Sequence, residues 1–414
     1  MRLKGIVSAV VLSFAALTNV AQTQQLFTSV KAEPPYRIPA ITSAKNGDLV
    51  VVCDYRPCGS DIGYGEVDLM SRRSSNYGWT WSSPVVVADG TGVPGAVDCG
   101  FGDPALVADR TTGRMLLISV CGNTPYWSAK RNNPNRVARF RSEDGGRTWS
   151  SYEEITEEIY RLFDKSALGP VESLFFGSGR IMQSRLVKVG KYYRLYAALC
   201  AKPNGNRVIY SDDFGETWHV LGSIDVSPAP GGDEPKCEEL PDGSVVLSSR
   251  KHYGRYFNIF TYSDTRSATG SWDTPVESNC VTGGIAVGSN ACNGEILLID
   301  ARNTETRKKC KLMLQSLPTG NERRDVTIYY KVIDPKKHYT SETFAQNWEV
   351  GLQVSKQYSA YSTMILQKNG RVGFFYEEGP TEYNMVYKSL SIKEITRGCV
   401  KIGTSSFSVF SCWH

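Results

Sequence analysis

Short runs of apolar and β-branched residues recur along the chain, each bounded by polar or glycine-containing turns. They predict strands over residues 48–53, 115–121, 192–200, 244–249, 296–300, 326–332 and 372–376. Turns such as Asn46-Gly47-Asp48 precede several of these strands. Helical periodicity is confined to residues 152–164, which predict a short amphipathic element on a loop. The pattern therefore predicts an all-β chain.

An eight-residue turn pattern recurs between these predicted strands. It is complete at residues 142–149 and 211–218, both of which have the form S-x-D-x-G-x-T-W. The Asp side chain can accept hydrogen bonds from nearby backbone N–H groups, and the Gly supplies the positive φ of a tight turn. A third copy at 74–81 has Asn in place of Asp, and weaker echoes end at Trp272 and Trp348. The Trp spacings of 68, 69, 54 and 76 residues favour four-stranded propeller blades over a solenoid.

These octapeptides resemble the Asp boxes of sialidases and related propellers. The resemblance implies one six-bladed β-propeller over about residues 27–414, in which the N-terminal strand completes a sheet with C-terminal strands. No linker or low-complexity segment divides the chain. Asp boxes usually lie on the outer edge of a propeller, so they imply a fold and leave the function to other residues.

Composition narrows the possible partners. With 414 residues and 41% hydrophobic content, the chain can build a large core without being split into two domains. Its formal charge of +5 is too small to indicate a nucleic acid or a membrane surface as a partner, and no basic run contains interleaved aromatic residues. We therefore predict no nucleic-acid binding.

Residues 1–22 have the pattern of a secretory signal. Arg2 and Lys4 precede a run of apolar and small residues, and small residues near position 21 offer cleavage sites. An uncleaved anchor is the alternative, but the apolar run is short for a bilayer span. The pattern predicts a secreted or periplasmic protein without stable membrane insertion.

The 11 cysteines match no disulfide framework. Local bridges Cys53–Cys58 and Cys399–Cys412 are one interpretation, and buried free thiols are the other. The four histidines are scattered and no CxxC pair is present, so we predict no zinc site.

Candidate chemistry begins in the segment P-Y-R-I-P-A at residues 35–40. Pro39 favours an extended Ile38, which would hold Arg37 rigidly at a strand end. The segment resembles the F/Y-R-I-P motif of sialidases, which implies that Arg37 is the first of three arginines that bind the substrate carboxylate.

Two further segments resemble pocket segments of the same family. In the glycine-rich loop at 54–65, the resemblance makes Asp61 the general acid/base and Arg56 a pocket residue. Asp103, which precedes Pro104, would lie beside the N-acetyl group of the substrate, and the aromatic residues at 126–127 are candidates for its apolar wall.

Residues 233–255 resemble the family pattern E-L-x-D-G-x followed by a strand and R-x4-R. Matching from the turn glycine at 243 makes Glu239 the catalytic glutamate and Arg255 the second arginine. Glu238 and Glu234 remain competitors for the glutamate. Strand alternation allows only one of Glu238 and Glu239 to face inward.

The last two segments supply the remaining candidate residues of the active site. The stretch around Asp325 resembles the one that carries the third arginine, which selects Arg323, with the adjacent Arg324 as the alternative. Residues 359–377 resemble the family's Y-S-x-L/M … Y-E ending, which implies Tyr361 as the nucleophile and Glu377 as the residue that orients Arg37.

Together these matches imply a bacterial-type exo-α-sialidase that acts on sialylated glycans with retention of configuration. Sialic acid carries a carboxylate on its anomeric carbon, so a neutral Tyr is a better nucleophile than a carboxylate. The mechanism requires no metal or organic cofactor. A trans-sialidase, an intramolecular sialidase and a non-catalytic glycan-binding propeller are the alternatives.

Overall fold

The computed structural model describes residues 23–289 and 292–403. The predicted signal at 1–22 and the predicted bridge partner Cys412 lie outside these residues. Cys53 and Cys58 are both free thiols, with Cys53 buried in a strand, so this local bridge is absent.

The chain forms a six-bladed propeller of antiparallel sheets, as predicted. Blade 1 contains Tyr36–Ser43, Leu49–Tyr55, Asp68–Ser74 and Val85–Ala88. Blade 2 contains Phe101–Ala108, Met115–Cys121, Arg136–Ser142 and Glu153–Glu154, with Gly179–Arg180 added in parallel. Blade 3 contains Ser173–Phe176, Met182–Val189, Tyr192–Lys202, Arg207–Ser211 and His219–Val220.

The second half of the chain continues in the same way. Blade 4 contains Pro235–Glu239, Val245–Lys251, Gly254–Asp264, Thr269–Trp272 and Val276–Glu277. Blade 5 contains Ile296–Asn303, Lys309–Gly320, Arg324–Ile333 and Glu349–Gln353, and Val400–Ile402 pairs with its first strand. Blade 6 contains Tyr358–Leu366, Val372–Gly379 and Asn384–Leu390.

The N-terminal strand closes the ring. Thr23–Phe27 pairs antiparallel with Asn384–Leu390 and becomes the outer strand of blade 6. This confirms the predicted closure, which couples the two ends of the described chain.

Helices are few and short. They cover Thr156–Tyr160, Ser341–Ala345 and Ile392–Ile395, with a 3-10 turn at Ser278–Cys280. The first helix lies in the segment predicted to be amphipathic, and it buries Ile159 and Tyr160 against blades 2 and 3. Within residues 23–289 and 292–403, no helix has the length and apolar character needed to cross a bilayer.

The hydrophobic core is divided among the faces of neighbouring blades. Blades 2 and 3 share one apolar cluster, blades 5 and 6 share another, and a third lies between blades 4 and 5. Further clusters lie between blades 1 and 2, 3 and 4, and 6 and 1. Because apolar residues hold each blade to the next, polar side chains are left to line the central axis.

The Asp-box turns have the predicted hydrogen bonds. Asp144 Oδ1 accepts from the backbone N–H groups of Arg147 at 2.9 Å and Thr148 at 3.0 Å. In the variant box, Asn76 Oδ1 accepts from the backbone N–H of Thr80 at 2.9 Å. These turns fix the outer ends of the strands and leave the axial ends free for a site.

Candidate active site

A pocket opens where the inner strands of the blades approach the axis, and its lining comes from several blades. Blade 1 contributes Arg37, blade 2 contributes Asp103, and the segment before blade 4 contributes Glu234. Arg323 precedes the third strand of blade 5, and Tyr361 lies in the inner strand of blade 6. Residues that are far apart in sequence are therefore brought to one cavity.

Backbone bulges aim two of these strands at the pocket. Ile38 has a φ of +55° and Asp103 has a φ of +53°, and each lies at a break in strand register. Bulges redirect side chains and are common beside functional sites. The prediction of an extended Ile38 is wrong, because its N–H turns to donate to Glu377 Oε1 at 2.8 Å. For a β-branched residue this backbone conformation is strained.

The phenol of Tyr361 donates a short hydrogen bond to Glu234 Oε1. Glu234 Oε2 accepts from Arg250 Nη1 at 3.0 Å. Burial raises the pKa of Tyr361 well above its ordinary value and also raises the pKa of Glu234. The pair therefore combines a proton donor and a proton acceptor at the base of the pocket.

Glu239, predicted as the catalytic glutamate, lies elsewhere, and this prediction is wrong. Its carboxylate accepts from Ser184 Oγ and from the backbone N–H of Arg185 at 2.7 Å, and it does not line the pocket. The contacts explain the error, because Glu239 ends the strand Pro235–Glu239 against Ser184 and Arg185 of blade 3, at the far end of the strand from the pocket residue Glu234. Of the two competitors, Glu234 lines the pocket, whereas Glu238 pairs with Arg180 at 2.9 Å and does not.

Arg255, predicted as the second arginine of the triad, does not line the pocket either. It is fully buried, with Nε donating to Ser248 Oγ at 3.0 Å and Nη2 donating to Ser248 O at 2.8 Å. Arg250 is its direct partner across the hairpin and reaches Glu234 instead. The R-x4-R motif thus contains the pocket arginine, but as its first member.

Two more arginines flank Tyr361. The guanidinium carbon of Arg37 lies 5.8 Å from the centroid of the Tyr361 ring, and that of Arg323 lies 5.6 Å from it. The alternative Arg324 stacks on Tyr358 instead, at 4.4 Å. Of the two adjacent arginines, the structure brings Arg323 to the pocket.

Glu377 organises this side of the site. It is fully buried, and its Oε1 accepts from Arg37 Nε at 2.8 Å. Its Oε2 accepts from Arg37 Nη2 at 3.3 Å and from the backbone N–H of Tyr361 at 3.1 Å. One carboxylate therefore fixes both an arginine and the strand that carries the phenol.

Arg56 pairs with two carboxyl groups in another part of the pocket lining, and a third acidic residue is linked to them through its backbone. Its Nη2 lies 2.9 Å from Asp61 Oδ1 and 2.9 Å from Asp54 Oδ2. The backbone N–H of Asp103 donates to Asp54 Oδ1 at 3.1 Å. Asp61 is 65% exposed at its side chain, whereas Asp54 is fully buried. The predicted residues Arg56, Asp61 and Asp103 are brought together here.

Sequence reasoning missed Asp54. Burial raises its pKa to about 7, and burial together with Asp54 and Asp61 raises the pKa of Asp103 well above its usual range. The available signal was the position of Asp54 at the end of a buried strand, two residues before an arginine, where it would need a charged partner.

Apolar side chains form the wall beside Asp103. Ile62, Val120 and Phe175 line it, and Tyr126 packs edge-on against Phe175 with ring centroids 5.1 Å apart. The adjacent Trp127 is 77% exposed at the rim. Among residues 23–289 and 292–403, no group of three or more His, Cys, Asp or Glu side chains is arranged to hold a metal ion.

Known proteins with similar sequences are sialidases. The sialidase of Micromonospora viridifaciens is 30% identical over 362 residues, which cover 84% of this chain and 50% of that protein. The sialidase of Clostridium perfringens is 25% identical over 373 residues, which cover 84% of this chain and 87% of that protein. The chain thus spans about half the length of the first relative and most of the second.

Solved structures show the same fold. The Hadza microbial sialidase Hz136 superimposes with a TM-score of 0.68 at 22% identity, covering 90% of this chain and 69% of that chain. The intramolecular trans-sialidase from Ruminococcus gnavus, solved with oseltamivir carboxylate, gives 0.64 at 16% identity, covering 88% and 96%. The family model described as "BNR repeat-like domain" matches residues 47–374. This chain therefore belongs to the BNR repeat-like family and, within it, resembles the bacterial-type sialidases.

Proposed function

We propose that this chain is an exo-α-sialidase, a glycoside hydrolase that removes terminal α-linked sialic acids from glycoproteins, glycolipids and oligosaccharides. The observation that carries the proposal is the hydrogen bond from Tyr361 to Glu234, which lies beneath Arg37, Arg250 and Arg323 in one pocket. The likeness to bacterial sialidases supports the same conclusion.

The three arginines would bind the substrate carboxylate. Guanidinium groups form planar, paired hydrogen bonds with a carboxylate, which a lysine cannot reproduce. Arg37 is held by Glu377, so its orientation is set before substrate arrives. Binding the carboxylate in this way would place the anomeric carbon, to which it is attached, above the Tyr361 oxygen.

Tyr361 would then attack the anomeric carbon. A carboxylate nucleophile would be repelled by the carboxylate of the substrate, whereas a phenol approaches as a neutral group. An unassisted buried phenol is a poor nucleophile, so Glu234 takes its proton as the new bond forms. Because burial also raises the pKa of Glu234, the carboxylate is a stronger base than an exposed glutamate.

Asp61 would act on the leaving group. It lies on the open side of the pocket, where it can protonate the glycosidic oxygen as the bond to the anomeric carbon breaks. In the second step it takes a proton from water, which attacks the anomeric carbon, and the phenolate leaves and regains its proton from Glu234. Two displacements at one carbon give a product with retained configuration. Arg56 and Asp103 would contact the rest of the sugar.

Proton NMR of the first product tests this proposal. The wild-type protein is mixed with 3′-sialyllactose and with 6′-sialyllactose, and the first released anomer is followed. We expect free α-sialic acid, and almost none from Tyr361→Phe. Initial release of the β anomer would contradict retention, and an anhydro product would indicate an intramolecular sialidase. No release from either substrate or from an activated aryl sialoside would leave a glycan-binding propeller.

A further inference from the structure

We propose that Glu295 is a positioning residue for the Tyr361–Glu234 pair, acting with Lys236 and Thr363 as an axial clamp beneath it. The proposal rests on the proposed function, because it assigns the clamp to the reaction of that pair. The three clamp residues do not line the pocket, so they would act through the strands that carry the reacting groups.

Glu295 joins the two other members of the clamp. Its Oε2 accepts from Thr363 Oγ1 at 2.9 Å and lies 3.7 Å from Lys236 Nζ. The Lys236 ammonium also donates to the carbonyl oxygens of Gly177 and Ser178. Glu295 and Thr363 are fully buried and Lys236 is 2% exposed. The contacts therefore form in a region without bulk water, where electrostatic interactions and hydrogen bonds are stronger than at the surface.

Two of the clamp residues lie on the chain segments that carry the reacting pair, and Glu295 joins them from the segment before blade 5. Thr363 follows Tyr361 by two positions in the inner strand of blade 6, and Lys236 follows Glu234 by two positions at blade 4. Residues two apart in an extended segment are about 7 Å apart along it. The clamp is thus a second cross-link between the same segments, one layer below the bond between Tyr361 and Glu234.

The space around the clamp fits this role. A Cβ atom on Gly179 would lie 2.5 Å from Lys236 Nζ, 3.1 Å from Thr363 Oγ1 and 3.4 Å from Glu295 Oε2. Gly179 also has a φ of +104°, which disfavours other residues. The backbone of Gly179–Arg180, the strand added in parallel to blade 2, therefore packs directly against the three clamp residues.

A second cross-link below the pair fixes the separation of its two strands. Proton transfer from Tyr361 to Glu234 depends on a short hydrogen bond, so a shift of a few tenths of an ångström between the strands would slow attack. Binding of the carboxylate would change less, because Arg37 is held by Glu377 and not by Glu234. The clamp should therefore affect kcat and leave KM nearly unchanged.

Thr363→Val tests the clamp, because it keeps the shape of the side chain and removes the hydroxyl that donates to Glu295. We expect kcat on an aryl sialoside to fall about tenfold. KM and the inhibition constant of 2-deoxy-2,3-didehydrosialic acid, which reports on the arginine site, should stay within twofold. The rate of covalent adduct formation with 2,3-difluorosialic acid should fall by the same factor as kcat. Thr363→Ser, which restores the hydroxyl, should recover most of the rate.

Thr396→Val is the matched control. Thr396 is equally buried, and its Oγ1 donates to Ile392 O at 2.8 Å at the end of the helix Ile392–Ile395, outside the pocket lining. The proposal would be overturned if Thr363→Val had the kcat of the wild-type protein, or if Thr396→Val lost as much kcat as Thr363→Val. The proposal would also be overturned if Thr363→Val raised KM and the inhibition constant. A wild-type protein without turnover and without adduct would overturn the proposed function, and the clamp with it.

Discussion

Glu234 is the residue on which most of the site chemistry depends. One of its oxygens accepts from the Tyr361 phenol and the other accepts from Arg250. The same carboxylate thereby contacts both the phenol that we propose as the nucleophile and an arginine of the pocket. Its burial is compatible with this because both oxygens are paired.

Replacing this glutamate should separate catalysis from folding. We expect Glu234→Gln to lower kcat about 100-fold to 1000-fold, since it removes the base and keeps the volume. Glu239→Gln changes a buried glutamate that contacts Ser184 in the strand directly after Glu234, and it should keep kcat within about threefold. Steady-state kinetics on an aryl sialoside measures both. Equal kcat in the two variants would contradict the assignment.

At the residue scale, the sequence predicted which types of residue form the site better than it predicted which of several neighbouring residues of one type lies in it. Arg37, Asp61, Tyr361 and Glu377 lie in short motifs without competing neighbours, and the structure brings them to the pocket or to its immediate support. Glu239 and Arg255 were selected by counting from a turn, in segments that hold several acids or two arginines. The competing glutamates and arginines differ only in where their side chains point. That direction is set by strand alternation and by the register of the hairpin.

At the scale of elements, the Asp-box turns stabilise the connections between strands, and the bulges in the inner strands direct side chains to the pocket. The Asp boxes form hydrogen bonds within eight residues, so sequence alone predicts them well. The inner strands are bent at Ile38 and Asp103 by contacts with Glu377 and Asp54, which come from other strands. Such bends are long-range effects, and the local pattern at Ile38-Pro39 predicted the opposite conformation.

The Asp box gives a prediction about stability. Asp144→Ala removes hydrogen bonds to two backbone N–H groups and to the Thr148 hydroxyl, so we expect a loss of about 1–2 kcal/mol in the free energy of unfolding. Asp144→Asn should lose less than half as much, because Asn76 makes the equivalent backbone contact in its own box. Urea denaturation measures both. An Asn variant as unstable as the Ala variant would contradict this account of the turn.

The rim loops give a prediction about the leaving group. Tyr64 is three residues from Asp61 and 60% exposed, and Trp127 is exposed on the neighbouring loop that Gly63 touches. An apolar contact of ~40 Å² between Trp127 and the departing sugar would contribute about 1 kcal/mol. We expect Trp127→Ala to raise KM for sialyllactose about fivefold and to leave KM for sialyl fluoride unchanged, since fluoride is a single atom.

The control for this prediction is Trp79→Ala. Trp79 is 56% exposed on the variant Asp box of blade 1, away from the pocket lining. Its removal should change neither KM. Equal effects of Trp127→Ala on both substrates would show that the rim does not contact the leaving group.

At the scale of the whole molecule, the ring of blades concentrates charge near the axis. Apolar clusters hold neighbouring blades together, so the polar inner ends must pair with one another around the pocket. Turn spacing favoured propeller blades, and the resemblance to Asp-box propellers implied the six-bladed architecture. Pairing between the neighbouring blades 1 and 6 joins residues as far apart in sequence as Arg37 and Glu377, and only a resemblance to known proteins could suggest it from the sequence.

Buried carboxyl groups make the protein's stability depend on pH. The pKa is about 7 for Asp54 and about 6 for Asp68, and burial also raises the pKa values of Asp103 and Glu234. Because these pKa values are higher in the folded state, the folded state binds more protons than the unfolded state between about pH 4 and pH 7. That stabilisation is complete below about pH 4 and is lost as pH rises through the folded pKa values.

We therefore expect the urea midpoint to be higher at pH 5 than at pH 8. Asp68→Asn, which removes one such group without touching the pocket, should reduce the difference between the two midpoints. Asp300→Asn, at a carboxyl that is 60% exposed, should leave the difference unchanged. A midpoint that rises from pH 5 to pH 8 would contradict the raised pKa values.

The most direct test of the central claim is to locate a covalent intermediate. The protein is incubated with 2,3-difluorosialic acid, digested with trypsin and analysed by mass spectrometry. The tryptic peptide 357–368 contains both Tyr358 and Tyr361, so fragmentation must place the added mass. We predict a fluorosialyl group on Tyr361 in the wild-type protein and none in Tyr361→Phe. An adduct on Asp61 or Glu234, or turnover without any adduct on Tyr361, would contradict the account.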